Sequence, residues 1–130
     1  MSINNLKNQI RNKDIKPLYL FYGPEEYLKK YYINSIEEII IDKNLQTLNK
    51  VMLDDKVDVS QIIDNCDTLP VFSERKLVLV KNSGFFKGGG KKEETEKLVD
   101  YLKDVPPFTC LIFYEEDIDK RLRIYKTVNK

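Results

Sequence analysis

The chain contains no histidine among its 130 residues. Imidazole acid-base catalysis, histidine ligation of a metal and a Ser-His-Asp triad are therefore excluded within it. Cysteine is scarce: Cys66 and Cys110 are the two present, and both sit inside apolar patterns. That placement reads as reduced core residues of a cytoplasmic protein rather than as a disulfide or a metal site. No apolar run approaches the length of a membrane span, and residues 1–11 lack the hydrophobic centre of a signal peptide. An excess of one charge is also missing, with 22 basic and 21 acidic side chains and a formal charge of +1. No strong field surrounds the whole molecule, so contact with nucleic acid would need a local patch. The 42% hydrophobic and 33% charged fractions are those of a soluble globular protein. A chain of 130 residues suits one domain that buries about two thirds of its unfolded surface.

What is present is organised around residues 17–30, PLYLFYGPEEYLKK. Leu18 to Tyr22 form a short apolar and aromatic run, expected where helices cover both faces of a parallel strand. Gly23 supplies a sharp exit, and Pro24 fits the first turn of a helix. This is the outline of a phosphate-binding loop, G-x-x-x-x-G-K-[ST]. Counted from Gly23, however, Leu28 stands where the second glycine belongs, Lys29 at the lysine position and Lys30 where the hydroxyl belongs. Glu25 and Glu26 also bring negative charge to the helix start, which opposes a phosphate. Gly23, Lys29 and Lys30 thus read as a degenerate loop that holds no nucleotide and calls for no cofactor. Lys29 itself reads as a solvated lysine on the first helix. The rival reading is a divergent P-loop kinase or ATPase that uses Lys29 with Glu115 or Glu116.

Along the rest of the chain, Ile3, Leu6, Ile10 and Ile15 suggest a short amphipathic helix packed on the first strand. Residues 24–41 read as a core-facing helix with Leu28, Tyr31, Tyr32, Ile36, Ile39 and Ile40 on its buried stripe, the tyrosines packing rather than stacking on bases. A strand is expected over 47–53. A helix follows with Asp58 as N-cap, Gln61 completing a capping box, and Val59, Ile62, Ile63 and Cys66 inward. KLVLV, 76–80, is the strongest strand signal. The KGGGKK stretch, 87–92, reads as a mobile surface loop rather than a phosphate site, because acidic residues open the next helix. That helix turns Leu98, Val99 and Leu102 inward. FTCLIFY, 108–114, is a further buried strand. Glu115, Glu116, Asp117 and Asp119 lie beyond it, where open α/β sheets gather ligands. They read as a cap for a final helix carrying Ile118, Leu122, Tyr125 and Val128 rather than as a magnesium site. Lys120, Arg121, Arg123, Lys126 and Lys130 decorate that helix, and the first three are candidate DNA contacts. The ending suggests a fragment of a longer chain.

Strand-helix alternation with right-handed crossovers predicts an α/β fold, a three-layer arrangement of a parallel sheet with helices on both faces. Between the second long helix and the KLVLV strand stand Leu69, Pro70, Val71 and Phe72, four consecutive apolar residues in a connection. The residues alone lean slightly toward folding these four back into the core around Pro70.

The PLYLFYGPEEYL, LPVFSERKLVLVKN and FTCLIFYEE segments, in this order and spacing, resemble the N-terminal domain of the delta-subunit family of bacterial DNA polymerase III, part of the sliding-clamp loader. The resemblance covers residues 1–130. It implies a P-loop NTPase (AAA+)-like fold with a decayed nucleotide site, with lid and collar domains lying beyond this fragment. It also implies a non-catalytic cytoplasmic subunit of a DNA-replicating, nucleotidyltransferase complex. The expected partners are the sliding clamp (the beta subunit), the gamma/tau and delta-prime loader subunits mainly through the missing C-terminal domains, and primer-template DNA indirectly, with no membrane. In this family adjacent hydrophobic residues, usually leucine and phenylalanine, grip the clamp and help to open it. Val71 and Phe72 occupy the matching positions here, with valine replacing the leucine. The resemblance implies that Phe72, supported by Leu69, Pro70 and Val71, is exposed and binds the clamp.

Overall fold

Runs rich in β-branched, leucine and aromatic residues form four parallel strands among the described residues: β1 (Leu18–Tyr22), β2 (Lys50–Asp54), β3 (Lys76–Lys81) and β4 (Thr109–Glu115). The computed structural model describes residues 3–54, 57–87 and 92–128. Strand order is β1-β4-β3-β2. Every residue of β4 is buried, as are the first five of β3, which explains why these central strands carry the least interrupted apolar sequence.

Parallel strands need crossovers, and helices supply them. α1 (Ile3–Arg11) and α2 (Glu26–Ile40) cover one face of the sheet. α4 (Val59–Asp67), α5 (Lys92–Leu102) and α6 (Arg123–Val128) cover the other; the short α3 (Gln46–Asn49) precedes β2. On the first face Tyr19, Leu77, Leu79 and Ile112 meet Leu6, Ile33 and Ile36. On the second, Val78, Val80, Leu111 and Phe113 meet Ile62, Leu98, Val99 and Ile124. Successive strand residues point to opposite faces, so the register Leu18↔Leu111 and Tyr19↔Ile112 sends each pair to its own core. The expected three-layer sheet is the one observed.

Several local expectations are corrected. The buried side of α2 runs through Lys29, Ile33, Ile36 and Glu37, while Leu28 is exposed and Tyr31 is 54% exposed. Tyr31 instead makes an edge-to-face contact with Tyr32 at 5.2 Å between ring centres. Pro24 precedes the helix, whose N-cap is Glu25. Residues 46–49 are helical rather than extended, so the second strand starts at Lys50 and leaves Leu48 exposed. The last helix begins at Arg123, and Ile118 and Leu122 lie in the approach to it. Glu115 is the final residue of β4 and not a helix cap. The capping pair of α4 is as expected, with the Asp58 N–H donating to Gln61 Oε1 at 2.9 Å. Residues 88–91, the centre of the glycine-rich stretch, and Lys130 lie outside the described residues.

Candidate functional site

The candidate residues gather in two places: the crevice at the C-terminal ends of β1 and β4, and the apolar connection between α4 and β3. The chain leaves β1 toward one face of the sheet and reaches β4 from the other, so the β1/β4 boundary is the switch point where such sheets hold ligands. Gly23 turns there at φ 112°, a conformation that favours glycine, and its N–H donates to Glu116 O at 3.1 Å.

Lys29 spans this crevice. Its side chain is buried, and Nζ donates to Gly23 O at 2.6 Å and Glu115 O at 3.3 Å. The amine also pairs with Glu26 at 3.2 Å and lies 4.2 Å from the centre of the Tyr114 ring. The Tyr114 hydroxyl donates to Glu26 as well. Hydrogen bonding from Tyr114, then from Lys29, holds the Glu26 carboxyl below the usual glutamate range. Burial, reinforced by the bond to Glu26, pushes the Tyr114 hydroxyl up to about 12. The expectation of a solvated Lys29 is therefore corrected. Its spacing gave a signal, since Lys29, Ile33 and Ile36 fall at i, i+4 and i+7 on one helical face. Lys30, by contrast, is exposed.

The carboxylates beyond β4 do not form a cluster. Glu115 is 1% exposed, and its carboxylate accepts from the Ser83 N–H at 3.1 Å and from Ser83 Oγ at 3.3 Å. Burial pushes this carboxyl upward against the pull of those donors. Glu116 and Asp117 are exposed, and Asp119 accepts from the backbone and guanidinium of Arg121 at 2.9–3.0 Å. Among the described residues no group of three potential metal ligands comes together.

The basic candidates are dispersed and engaged. Arg121 pairs with Asp119, Arg123 with Glu96, and Lys120 lies 5.5 Å from the centre of the Tyr22 ring. Lys120 and Arg121 precede α6 rather than riding on it.

The α4–β3 connection is a tip of apolar side chains held on polar anchors. Leu69 is 70% exposed, Val71 40% and Phe72 87%, with Pro70 half-buried. Folding back into the core is thereby corrected. The base of the tip is tied down on both sides. Lys76, the first residue of β3, is buried and turns its amine to the carbonyls of Asn65 and, at 3.1 Å, Thr68, which closes the end of α4. Arg75 donates to Ile15 O at 2.6 Å and Lys16 O at 3.2 Å, joining the tip to the segment before β1. Ser73 Oγ donates to Arg75 O at 2.8 Å. Within the tip, the side chain of Asn49 takes both backbone groups of Val71, its Oδ1 accepting the N–H at 2.6 Å and its Nδ2 donating to the carbonyl at 2.8 Å. Phe72 follows with φ 54°, the left-handed region. Sequence reading missed Asn49, since nothing local marks a residue whose partner lies 22 positions away.

Comparisons with known proteins agree with one another. The family model described as DNA polymerase III, delta subunit, matches residues 19–130. DNA polymerase III subunit delta of Bacillus subtilis (strain 168) is 30% identical over 128 residues, covering 93% of this chain and 37% of that protein. The solved structure of the Bacillus subtilis DNA clamp loader delta protein superposes with a TM-score of 0.86 at 26% identity, over 99% of this chain and 40% of that one. A DNA polymerase III gamma subunit-related protein of Thermotoga maritima shares the fold, with a TM-score of 0.61 at 14% identity over 95% of this chain and 43% of its own. The chain thus spans about two fifths of the length of these relatives. With the family model running from within β1 through the last helix, and an AAA+-like sheet superposing on a clamp loader delta protein, the chain belongs to the DNA polymerase III delta-subunit family.

Proposed function

We propose that this domain is the clamp-gripping part of a clamp-loader delta subunit, and that the tip at Leu69, Pro70, Val71 and Phe72 inserts into a hydrophobic pocket on the sliding clamp. The observation that carries this reading is the 87% exposure of Phe72 on an anchored apolar tip. Single exposed apolar residues are ordinary, but three exposed large ones within four positions mark an interaction site. Burying the ring in a partner is worth about 2–3 kcal/mol, enough for a hot spot. The sheet behind the tip transmits movement from neighbouring loader subunits. A delta subunit that binds the opened clamp more tightly than the closed ring shifts that ring toward opening; equal affinity for both would shift nothing.

The crevice supports a non-catalytic role. A lysine that neutralises phosphates must have its amine free, and here that amine is engaged by Gly23, Glu115 and Glu26. The acidic side chain nearest to it at the end of β4 faces Ser83. Both features weigh against a divergent P-loop kinase or ATPase. Micromolar binding of ATP with magnesium that vanishes in Lys29→Ala, measured by calorimetry, would overturn this reading of the crevice. Lys120, Arg121 and Arg123 remain candidates for weak, salt-sensitive contact with primer-template DNA.

Co-elution with the sliding clamp of the same organism tests the main claim. The wild-type domain is expected to co-elute and the Phe72→Ala variant to elute separately at the same concentration. Retention of the clamp by a folded Phe72→Ala variant would show that the anchor lies elsewhere.

A further inference from the structure

Asn49 is the most completely buried amide near the tip, 1% exposed, and it sits at the end of α3 just before β2. Its side chain imitates a neighbouring strand: one oxygen for the Val71 N–H at 2.6 Å, one nitrogen for the Val71 carbonyl at 2.8 Å. The same nitrogen donates to Leu45 O at 3.2 Å, so the amide is itself fixed to the turn before α3. Both amide protons and the oxygen therefore have partners. A buried primary amide that makes all these bonds has one orientation, and it passes that orientation to the Val71 backbone.

The residue controlled in this way precedes Phe72, whose φ of 54° brings its β-carbon toward the following carbonyl. An aromatic residue does not adopt that conformation unless its surroundings impose it. The ring itself cannot impose it, because it is mostly in solvent. Leu69 and Val71 are exposed as well, so packing within the tip is slight. The constraint comes instead from the backbone groups on either side, at Val71 and at the Ser73–Arg75 turn.

We propose that Asn49 is a positioning residue for partner docking: by holding the Val71 backbone, it keeps Phe72 in the left-handed, projecting conformation in which the ring enters the clamp. This rests on the reading of Phe72 as the clamp anchor. Its consequence is kinetic as well as energetic. A tip that is competent only a fraction of the time has its apparent affinity reduced by that fraction. Removal of Asn49 thus lowers the association rate constant, whereas trimming the ring raises the dissociation rate constant.

The test is a double-mutant cycle on the full-length protein, with binding to the clamp of the same organism followed in real time. Asn49→Ala is expected to weaken binding about tenfold, mostly through slower association, and to have no further effect in a Phe72→Ala background. Equal affinity of wild type and a folded Asn49→Ala variant, or losses that simply add with Phe72→Ala, would overturn the positioning role. If Phe72→Ala alone leaves binding unchanged, the clamp-anchor reading fails instead, so the two failures are distinct. Amide exchange of wild-type Val71 provides a measurement that needs no variant to fold. Its N–H is expected to exchange at least about 100-fold more slowly than in an unstructured peptide, and exchange at the unstructured rate would overturn the clamp on the backbone.

Discussion

The Lys29 amine lies 2.6 Å from the carbonyl oxygen of Gly23, and so joins the start of α2 to the turn that it follows. Because the same amine reaches Glu115 O, one side chain ties together β1, α2 and β4 at the mouth of the sheet. A lysine kept for phosphate would be dispensable for folding, whereas one with these hydrogen bonds is expected to contribute to it. Lys29→Ala leaves the carbonyl oxygens of Gly23 and Glu115 without this donor, and unmet buried acceptors cost about 1–3 kcal/mol each. The expected outcome is a loss of about 2–3 kcal/mol in urea unfolding. Unchanged stability would mean that the amine is free in solution.

Glu115 supplies a pH dependence of definite sign. Burial raises its carboxyl above the ordinary glutamate value of 4.5, so the folded chain keeps that proton where the unfolded chain has released it. Stability from this group is highest below the unfolded value and declines as pH rises to the folded one, after which the loss is constant. Glu26 and Asp119, both held low by their hydrogen-bond donors, contribute the opposite slope. Comparison of wild type with Glu115→Gln cancels those shared contributions. The glutamine variant is expected to be the more stable at neutral pH, with its advantage shrinking as pH falls toward about 4. An advantage independent of pH would show that the carboxyl titrates as in water.

The sheet was legible in the sequence and the site only in part, and the difference lies in how far apart the interacting groups are. β3 and β4 announce themselves because both faces are covered, so their central residues, 77–80 and 110–114, are apolar regardless of partner. α4 carries its own cap in Asp58 and Gln61. The helical turn at 46–49 ends in an asparagine whose partner is Val71, and periodicity within a short window has no access to that bond. For Lys29, spacing with Ile33 and Ile36 marks the buried face, but the acceptor on β4 lies 86 residues away and leaves no local sign. The four apolar residues stand out in a connection, yet by themselves they lean toward burial and only the family resemblance points to exposure; the left-handed Phe72 and the anchors at Arg75 and Lys76 needed coordinates.

Cys66 and Cys110 belong to opposite cores, the first packed with α4 against one face of the sheet and the second pointing from β4 into the other. Burial pushes both thiols up to about 12. At neutral pH the reactive thiolate is then on the order of one part in 10⁵, and access requires opening of the structure. Neither thiol is expected to react with a disulfide reagent in the folded protein on the minutes timescale, whereas both react at once in denaturing urea. Rapid labelling of Cys66 alone in native buffer would show that α4 opens locally and would weaken the case for a rigid tip beside it.

The left-handed backbone at Phe72 lets folding stability and the proposed docking be measured apart. An L-residue there carries about 1–2 kcal/mol of strain, and glycine relieves it while adding up to about 1 kcal/mol of unfolded-state entropy. Since the ring is 87% exposed, its removal takes little from the core. Phe72→Gly is therefore expected to match or exceed wild-type stability by up to about 1 kcal/mol, a rise of up to about 4 °C in Tm for a domain of this size. Phe72→Ala keeps the strain and should fall within about 0.5 kcal/mol of wild type. If Phe72 is the clamp anchor proposed above, both variants bind the clamp at least about 30-fold more weakly, from about 2–3 kcal/mol of lost burial. Thermal melts and clamp titrations on the same samples separate the two effects. If Phe72→Ala instead lost more than about 1 kcal/mol of folding stability, the ring would be packing against this domain, and its availability to a partner would be lost.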